Sequence, residues 1–358
     1  MTAMRKIGGP AARPADHPAH CVWELTLACN LRCRHCGSFA GPPREVELDA
    51  QQALDAADQL VEVGCERVTL MGGEPLLRRD WAALAQRLAQ GGVVVEVVSN
   101  GLLIDAEKAK EIKDSGVNSV SLSIDGTAPV HDTLRAREGS FARTLEAVGH
   151  LRAAGLPVGA VSQINRLNLN NLKLLHPMLV GAGVQGWQVQ LSEPIGRFKD
   201  EADWALTPAD LPDVERVLLD IIDKNTLWTY AADNIGYMSR DEPRLRATHA
   251  GPNCFLGCRA GLNVLGLASD GAVRGCLSLP EEFNESNTRT RRLAELWADP
   301  TAFPYNRSPG GKALTGFCGQ CPFGPVCRAG CTSLAWTTTG SLGDNPFCLF
   351  RLGKVAGQ

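Results

Sequence analysis

With 358 residues, 44% of them hydrophobic and 21% charged, the chain has the composition of a globular protein with room for a large core and a second, small domain. Its 36 basic and 39 acidic residues leave a net charge of −3, a balance that gives nucleic acid or an anionic membrane surface no footing. No run of about 18 apolar residues could span a bilayer, and Gly8 to Pro18 holds glycine, proline, alanine and charge where an export signal would be apolar. Residues 1–18 therefore read as a flexible lead-in, and the chain as cytoplasmic.

From residue 19 to 192, strand-like and helix-like stretches alternate. Val22 to Leu27 is an apolar run, and Leu48 to Val63 repeats apolar residues at helical spacing. Arg67 to Met71 reads as a strand, Asp80 to Ala89 as a helix, and the β-branched run Val93 to Val98 as a buried parallel strand. The alternation continues with a helix over Ile104 to Asp114, a strand over Ser119 to Ile124 and a helix over Phe141 to Ala154. Pro157 to Ile164 is again strand, Leu169 to Val180 helix and Trp187 to Leu191 strand. Parallel strands need crossover helices, so six such units predict an α/β fold built as an open partial (β/α)6 barrel, with ligands at the C-terminal ends of its strands. Residues 193–250 read as a less regular bridging segment with one helix over Asp210 to Lys224, and residues 251–358 as a loop-rich domain with short strands such as Asn263 to Ala268.

Cysteine is the exception in the composition. Thirteen cysteines without an export signal are poor disulfide candidates in a reducing compartment, so metal ligation is the alternative. Cys29, Cys33 and Cys36 form a C-x3-C-x2-C loop after the first strand. Three thiolates can hold three irons of a [4Fe–4S] cube and leave the fourth open to a chelating ligand. A zinc site completed by His35 or a distant residue is the other reading.

On these residues the chain resembles the radical S-adenosylmethionine (SAM) superfamily, where this motif follows the first strand of a partial barrel. The resemblance implies that the open iron is chelated by SAM's methionine moiety. An electron then cleaves SAM to methionine and a 5′-deoxyadenosyl radical, which abstracts a substrate hydrogen. It gives His35 a place against the adenine. Gly72-Gly73-Glu74-Pro75 resembles the GGEP element that meets the SAM amino group, and Ser99-Asn100-Gly101 the element near methionine and ribose. Ser121 to Gly126 resembles the element after strand four, where Ser123 would face ribose or carboxylate and Asp125 is a further cofactor-binding candidate. Arg135, within a His131 to Phe141 stretch similar to that of peptide-modifying members, is a partner for the SAM carboxylate. Each element alone could be a tight turn; together they fall in order at successive strand ends.

The C-terminal cysteines resemble the SPASM domain. Cys258 and Cys276 bracket Gly271 as C-x12-G-x4-C, followed by Cys318-x2-Cys321-x5-Cys327-x3-Cys331 and Cys348. The resemblance implies two auxiliary clusters, making three [4Fe–4S] clusters in all. Cys258, Cys276 and Cys331 would bind the first, with Cys254 as fourth ligand, and Cys318, Cys321, Cys327 and Cys348 the second. Two zinc knuckles are the alternative. Cys21 and Cys65 read as small buried hydrophobes, with Cys21 at a strand start also placed as a hydrogen-atom donor of the radical-epimerase kind.

The reaction expected from this resemblance is modification of a ribosomally made peptide by crosslinking, epimerisation or another oxidation. It implies a one-electron donor of reductase or flavodoxin type. The barrel begins within about twenty residues, leaving no room for the N-terminal recognition domain of many maturases, so a separate peptide-recognition protein or a small-molecule substrate enters the reading. Leu277 stands where sulfatase maturases place a basic aspartate, which counts against that activity. A radical epimerase or dehydrogenase acting on a carbohydrate, and an iron–sulfur electron-transfer or metal-stapled binding protein, are the competing readings. Glu193, Arg197, Trp204, Trp228 and Tyr230 are substrate-contact candidates by residue type, more readily explained as packing.

Overall fold

Alternating residues on each strand pack against helices, and this alternation builds the fold. The computed structural model describes residues 15–248, 251–308 and 310–355, so residues 1–14 of the expected lead-in lie outside the described residues. Seven strands, β1 (His20–Glu24), β2 (Arg67–Met71), β3 (Val94–Ser99), β4 (Ser119–Ser123), β5 (Val158–Ile164), β6 (Gly186–Leu191) and β7 (Trp228–Ala231), pair in parallel and in sequence order. The crossovers are α1 (Ala50–Glu62), α2 (Trp81–Gln90), α3 (Ala106–Asp114), α4 (Ala128–Arg135) with α5 (Ser140–Ala153), α6 (Leu172–Ala182) and α7 (Leu211–Ile222). Val68, Leu70, Val95, Val97, Val120, Leu122, Trp187 and Val189 are buried with Leu60, Leu84, Leu88, Ile112, Leu151 and Leu179 in one core. Each such side chain contributes about 1.5–3 kcal/mol by leaving water.

The intervening strand residues are for the most part half-buried and face the barrel interior. Among them are His20, Thr69, Glu96, Ser121, Ser123, Gln163, Gln188, Gln190 and Tyr230. Cys21 is fully buried on the opposite, helix-facing side of β1, its thiol beside Cys65. Its thiol is thereby turned away from the interior.

Two features depart from the sequence reading. Trp228 and Tyr230 belong to a seventh parallel strand inside the segment expected to be irregular, and their rings stack with centroids 4.6 Å apart. The barrel is also not a separate sheet from the C-terminal region. β8 (Val264–Leu267) runs parallel to β1, pairing Cys21 with Leu265, and continues through β9 (Ala272–Arg274) to β10 (Ser286–Asn287). Further ties cross the same junction. Glu24 accepts from the Ser269 hydroxyl (2.8 Å) and from Arg44 (3.1 Å), while Gln59 of α1 donates to the Thr288 carbonyl (3.1 Å). Ala15 already takes part, accepting from the Trp297 indole at 3.0 Å.

Candidate functional site

The loop carrying Cys29, Cys33 and Cys36 leaves β1 and is held from four directions. The backbone amides of Gly73 and Glu74 donate to the carbonyls of Thr26 and Ala28, both at 2.8 Å. That approach requires glycine: a Cβ on Gly73 would stand 2.2 Å from the Ala28 oxygen, and Gly72 has φ +146°. Glu47 accepts from the Thr26 hydroxyl and the Leu27 amide, both at 2.8 Å. The Leu134 carbonyl at the end of α4 accepts from the Arg34 amide and faces His35 Nδ1 at 3.1 Å. The fourth hold comes from the segment after β6, where Arg197 donates to the carbonyls of Cys33 (2.9 Å) and Ala40 (2.8 Å). Gly196 lies so close beneath Cys36 that a Cβ there would stand 2.3 Å from its carbonyl oxygen. Arg197 is thus a clasp on the cysteine loop, and Trp204 packs 4.2 Å over Arg34. Glu47 and Gly196 carry no sequence signal beyond their type, because their partners lie far along the chain.

The predicted site residues from the other loops converge on this one and bind one another. Glu74 is fully buried, and its carboxylate accepts from the Ser99 hydroxyl (2.9 Å) and the Asn100 amide (2.9 Å). Burial pushes its carboxyl up to about 7, against the pull of these hydrogen bonds. The Asn100 side chain donates to Asn30 at 2.7 Å, next to Cys29. Asp125 Oδ2 lies 2.6 Å from Arg135 Nη2 and 3.2 Å from His35 Nε2, and Arg135 Nη1 lies 3.8 Å from the Cys33 sulfur. Burial alone would raise the Asp125 carboxyl, but Arg135 and His35 hold it well below the usual carboxylate range. Both His35 nitrogens and the Arg135 guanidinium thus have partners within the chain. Ser123 faces the interior, half-buried, and Pro75 opens the short helical turn capped by Glu74.

The three thiols are electrostatic neighbours. Burial raises the Cys29 thiol to about 11, with Cys33 and Cys36 adding to the effect, and Cys33 is likewise raised by burial while Arg135 opposes it. Thiols held protonated in this way release protons when a metal takes them, so loading is favoured by alkali.

The C-terminal cysteines form two groups. Cys318, Cys321, Cys327 and Cys348 line one small, partly open cavity walled by Tyr237, Met238, Phe317, Phe323 and Phe350. Cys258, Cys276 and Cys331 are mutual electrostatic neighbours, with Glu193 beside Cys276 and Cys331. Glu193 is bonded to Ser333 at 2.7 Å and to Asn234 at 3.1 Å. Cys254 lies beside Glu242 and Arg246. Between Cys327 and Cys331 the chain passes through three successive left-handed residues, Arg328 (φ 51°), Ala329 (φ 61°) and Gly330 (φ 68°). Such backbone is strained for the first two. It turns two cysteines four apart, which a helix would align on one face, toward different groups. Tyr237 joins the groups: its hydroxyl accepts from the Cys331 amide at 2.8 Å, and its carbonyl lies 3.8 Å from the Cys348 sulfur. Among the described residues no three His, Cys, Asp or Glu side chains converge as a single-ion site would require. Thiols ranged around a cavity suit a polynuclear cluster.

Residues 23–170 match the family described as the Radical SAM superfamily. The chain is 31% identical to an AdoMet-dependent heme synthase of Methanosarcina barkeri, over 94% of this chain and 98% of that one. It is 29% identical to the mycofactocin maturase MftC of Mycobacterium ulcerans, over 95% of this chain and 90% of that one. In three dimensions it is similar to Streptococcus suis SuiB bound to its precursor peptide SuiA, with a TM-score of 0.73 and 16% identity over 94% of this chain and 77% of that one. Both matches cover more than nine tenths of this chain, far beyond the residues of the family match.

Proposed function

The chain belongs to the radical SAM superfamily, whose members bind SAM and a [4Fe–4S] cluster, and on that premise we propose that it is a maturase that modifies a peptide. Cys29, Cys33 and Cys36 would hold the SAM-binding cluster, and the fit rests on the three neighbouring thiols with no fourth cysteine on their loop. Cys258, Cys276 and Cys331, and the four thiols around the C-terminal cavity, would hold two auxiliary clusters. When bound, SAM and its cluster supply one-electron reductive cleavage and a carbon radical that abstracts hydrogen.

The residues around that chemistry position and insulate it. Glu74 locks the GGEP turn to the β3 loop, Arg135 sets a positive charge against the Cys33 sulfur, and Arg197 with Gly196 fixes the loop from the far side. Ser123 on the interior side, with the backbone of Gly72, Gly73 and Pro75, would help to hold SAM when it is bound.

The observation that carries a peptide substrate is the character of the barrel interior over β4 to β7. Ser119, Ser121, Ser123, Gln163, Gln188, Gln190 and Tyr230 face it, a neutral set of donors and acceptors. Tyr230 donates to Gln188 at 2.8 Å, and Gln188 to Gln190 at 3.2 Å. The nearby cations are paired with carboxylates: Arg67 with Glu96, Arg44 with Glu24, and Arg135 with Asp125. Such a surface suits peptide amides; a polycarboxylate porphyrin asks for unpaired guanidinium or ammonium groups. The likeness to a heme synthase, at slightly higher identity than to the maturase, is what favours the tetrapyrrole as second reading.

The test is hydrogen transfer into 5′-deoxyadenosine. Reduced, iron-loaded protein with SAM is given either a perdeuterated peptide fraction of the producing organism or iron coproporphyrin III. Deuterium entering 5′-deoxyadenosine from the peptide fraction, and lost after protease digestion of that fraction, is the expected result. Turnover of the porphyrin with no transfer from peptides would replace the peptide reading with the second.

A further inference from the structure

Lys312 is a buried cation with no acidic partner among the described residues. It precedes the Cys318 turn, is 6% exposed, and its ammonium donates to the Thr332 hydroxyl at 2.9 Å. Among the described residues no carboxylate forms an ion pair with it. A neutral hydroxyl does not offset the desolvation of an ammonium, so a charge in this position calls for a nearby negative group. The groups that face it are the thiols of Cys258, Cys331 and Cys327, together with the guanidinium of Arg328. Those thiols belong to both cysteine groups. Arg328 also lies beside the Cys258 thiol, but it is only half-buried and its guanidinium donates to the Asn306 carbonyl at 2.9 Å, so Lys312 is the more deeply buried of the two cations at these sulfurs.

We propose that Lys312 is the counter-charge of the auxiliary clusters, raising the reduction potential of the cluster held by Cys258, Cys276 and Cys331. This rests on the cluster assignment above. The physical argument is direct: adding an electron to a buried cluster makes it more negative, and a fixed positive charge in a low-dielectric surrounding favours that state. Lys312 is a positioning residue, since it touches neither SAM nor the substrate. Its hydroxyl anchor on Thr332, adjacent in sequence to Cys331, holds the ammonium at a set place beside the sulfurs.

The experiment is an EPR-monitored redox titration of the full-length, iron-loaded protein as wild type, K312M, K312R and T332V, with iron quantified for each. K312M with wild-type iron should move one auxiliary signal to more negative potential. At the wild-type midpoint its reduced-to-oxidised ratio should fall about tenfold, which is about 59 mV for a one-electron couple. K312R, which keeps the charge, should stay within about twofold. Unmoved auxiliary signals in iron-replete K312M would overturn the proposal. Should K312M lose its iron, T332V decides: it keeps the ammonium but removes its anchor, so a moved signal supports the assignment and an unmoved one overturns it. C276A separates the two levels of the argument, because wild-type iron content in C276A would remove the cluster assignment itself, whatever Lys312 does.

Discussion

Asp125 and Arg135 form a buried ion pair whose partners come from the end of β4 and from α4, and its removal tests how the cysteine loop is held. Asp125→Asn keeps the shape, and one oxygen can still accept from the Gln163 amide, as Asp125 does at 3.0 Å. It takes the counter-charge from Arg135, whose side chain is 11% exposed. Stripping one partner from a buried pair costs about 3–5 kcal/mol, because the remaining charge is left uncompensated. In the metal-free protein Cys33 gives no relief, since burial raises its thiol and keeps it protonated. With iron bound the same sulfur is a thiolate 3.8 Å from the guanidinium, so the loss should shrink. Arg135→Met should cost a similar amount, and the double variant D125N/R135M no more than either single one. That corresponds to a coupling energy of at least about 3 kcal/mol. Anaerobic urea unfolding of the metal-free protein, followed by tryptophan fluorescence and by circular dichroism, measures all four corners of the cycle. Additive losses, or a D125N loss below about 1 kcal/mol, would refute the view that this pair is one electrostatic unit.

Gly196→Ala should lower iron bound at Cys29, Cys33 and Cys36 while leaving the C-terminal sites filled, because the added Cβ would stand 2.3 Å from the Cys36 carbonyl oxygen; iron analysis in a background lacking the C-terminal ligands reads this directly. His131 accepts the Asp125 amide at 3.2 Å, and burial, followed by the charge of Arg135, lowers its pKa from the usual 6.5 to about 4. The unfolded chain therefore binds a proton in that window that the folded chain refuses. Stability should fall by roughly 3 kcal/mol as pH drops from 6.5 toward 4, and H131N should flatten that slope in unfolding curves recorded across the window. Cys348→Ala should cost about four irons per chain and leave 5′-deoxyadenosine formation in place, since Cys348 lines the C-terminal cavity, away from the barrel loops. Unchanged iron in that variant would argue against a cluster there.

Period and spacing are local properties, and they were legible in the chain itself. Apolar residues recurring at helical or alternating intervals located α1, α2, α3, β2, β3 and β4 to within two residues or so. The spacing of cysteines and the GGEP, SNG and SIDG elements at successive strand ends marked the family. β7 escaped because a short strand with polar interior residues carries weak alternation, and only pairing with β6 makes it a strand. The union of β1 with β8 joins residues over 240 positions apart, a pairing that no local pattern encodes. Tertiary structure alone decided what the charged side chains do. His35 and Arg135 close on Asp125, Arg197 became a clasp, and Lys312 has no carboxylate partner among the described residues. The reason is common to all four: the worth of a charge depends on its burial and on which opposite charge the chain brings beside it, and both are set when distant segments close on one another.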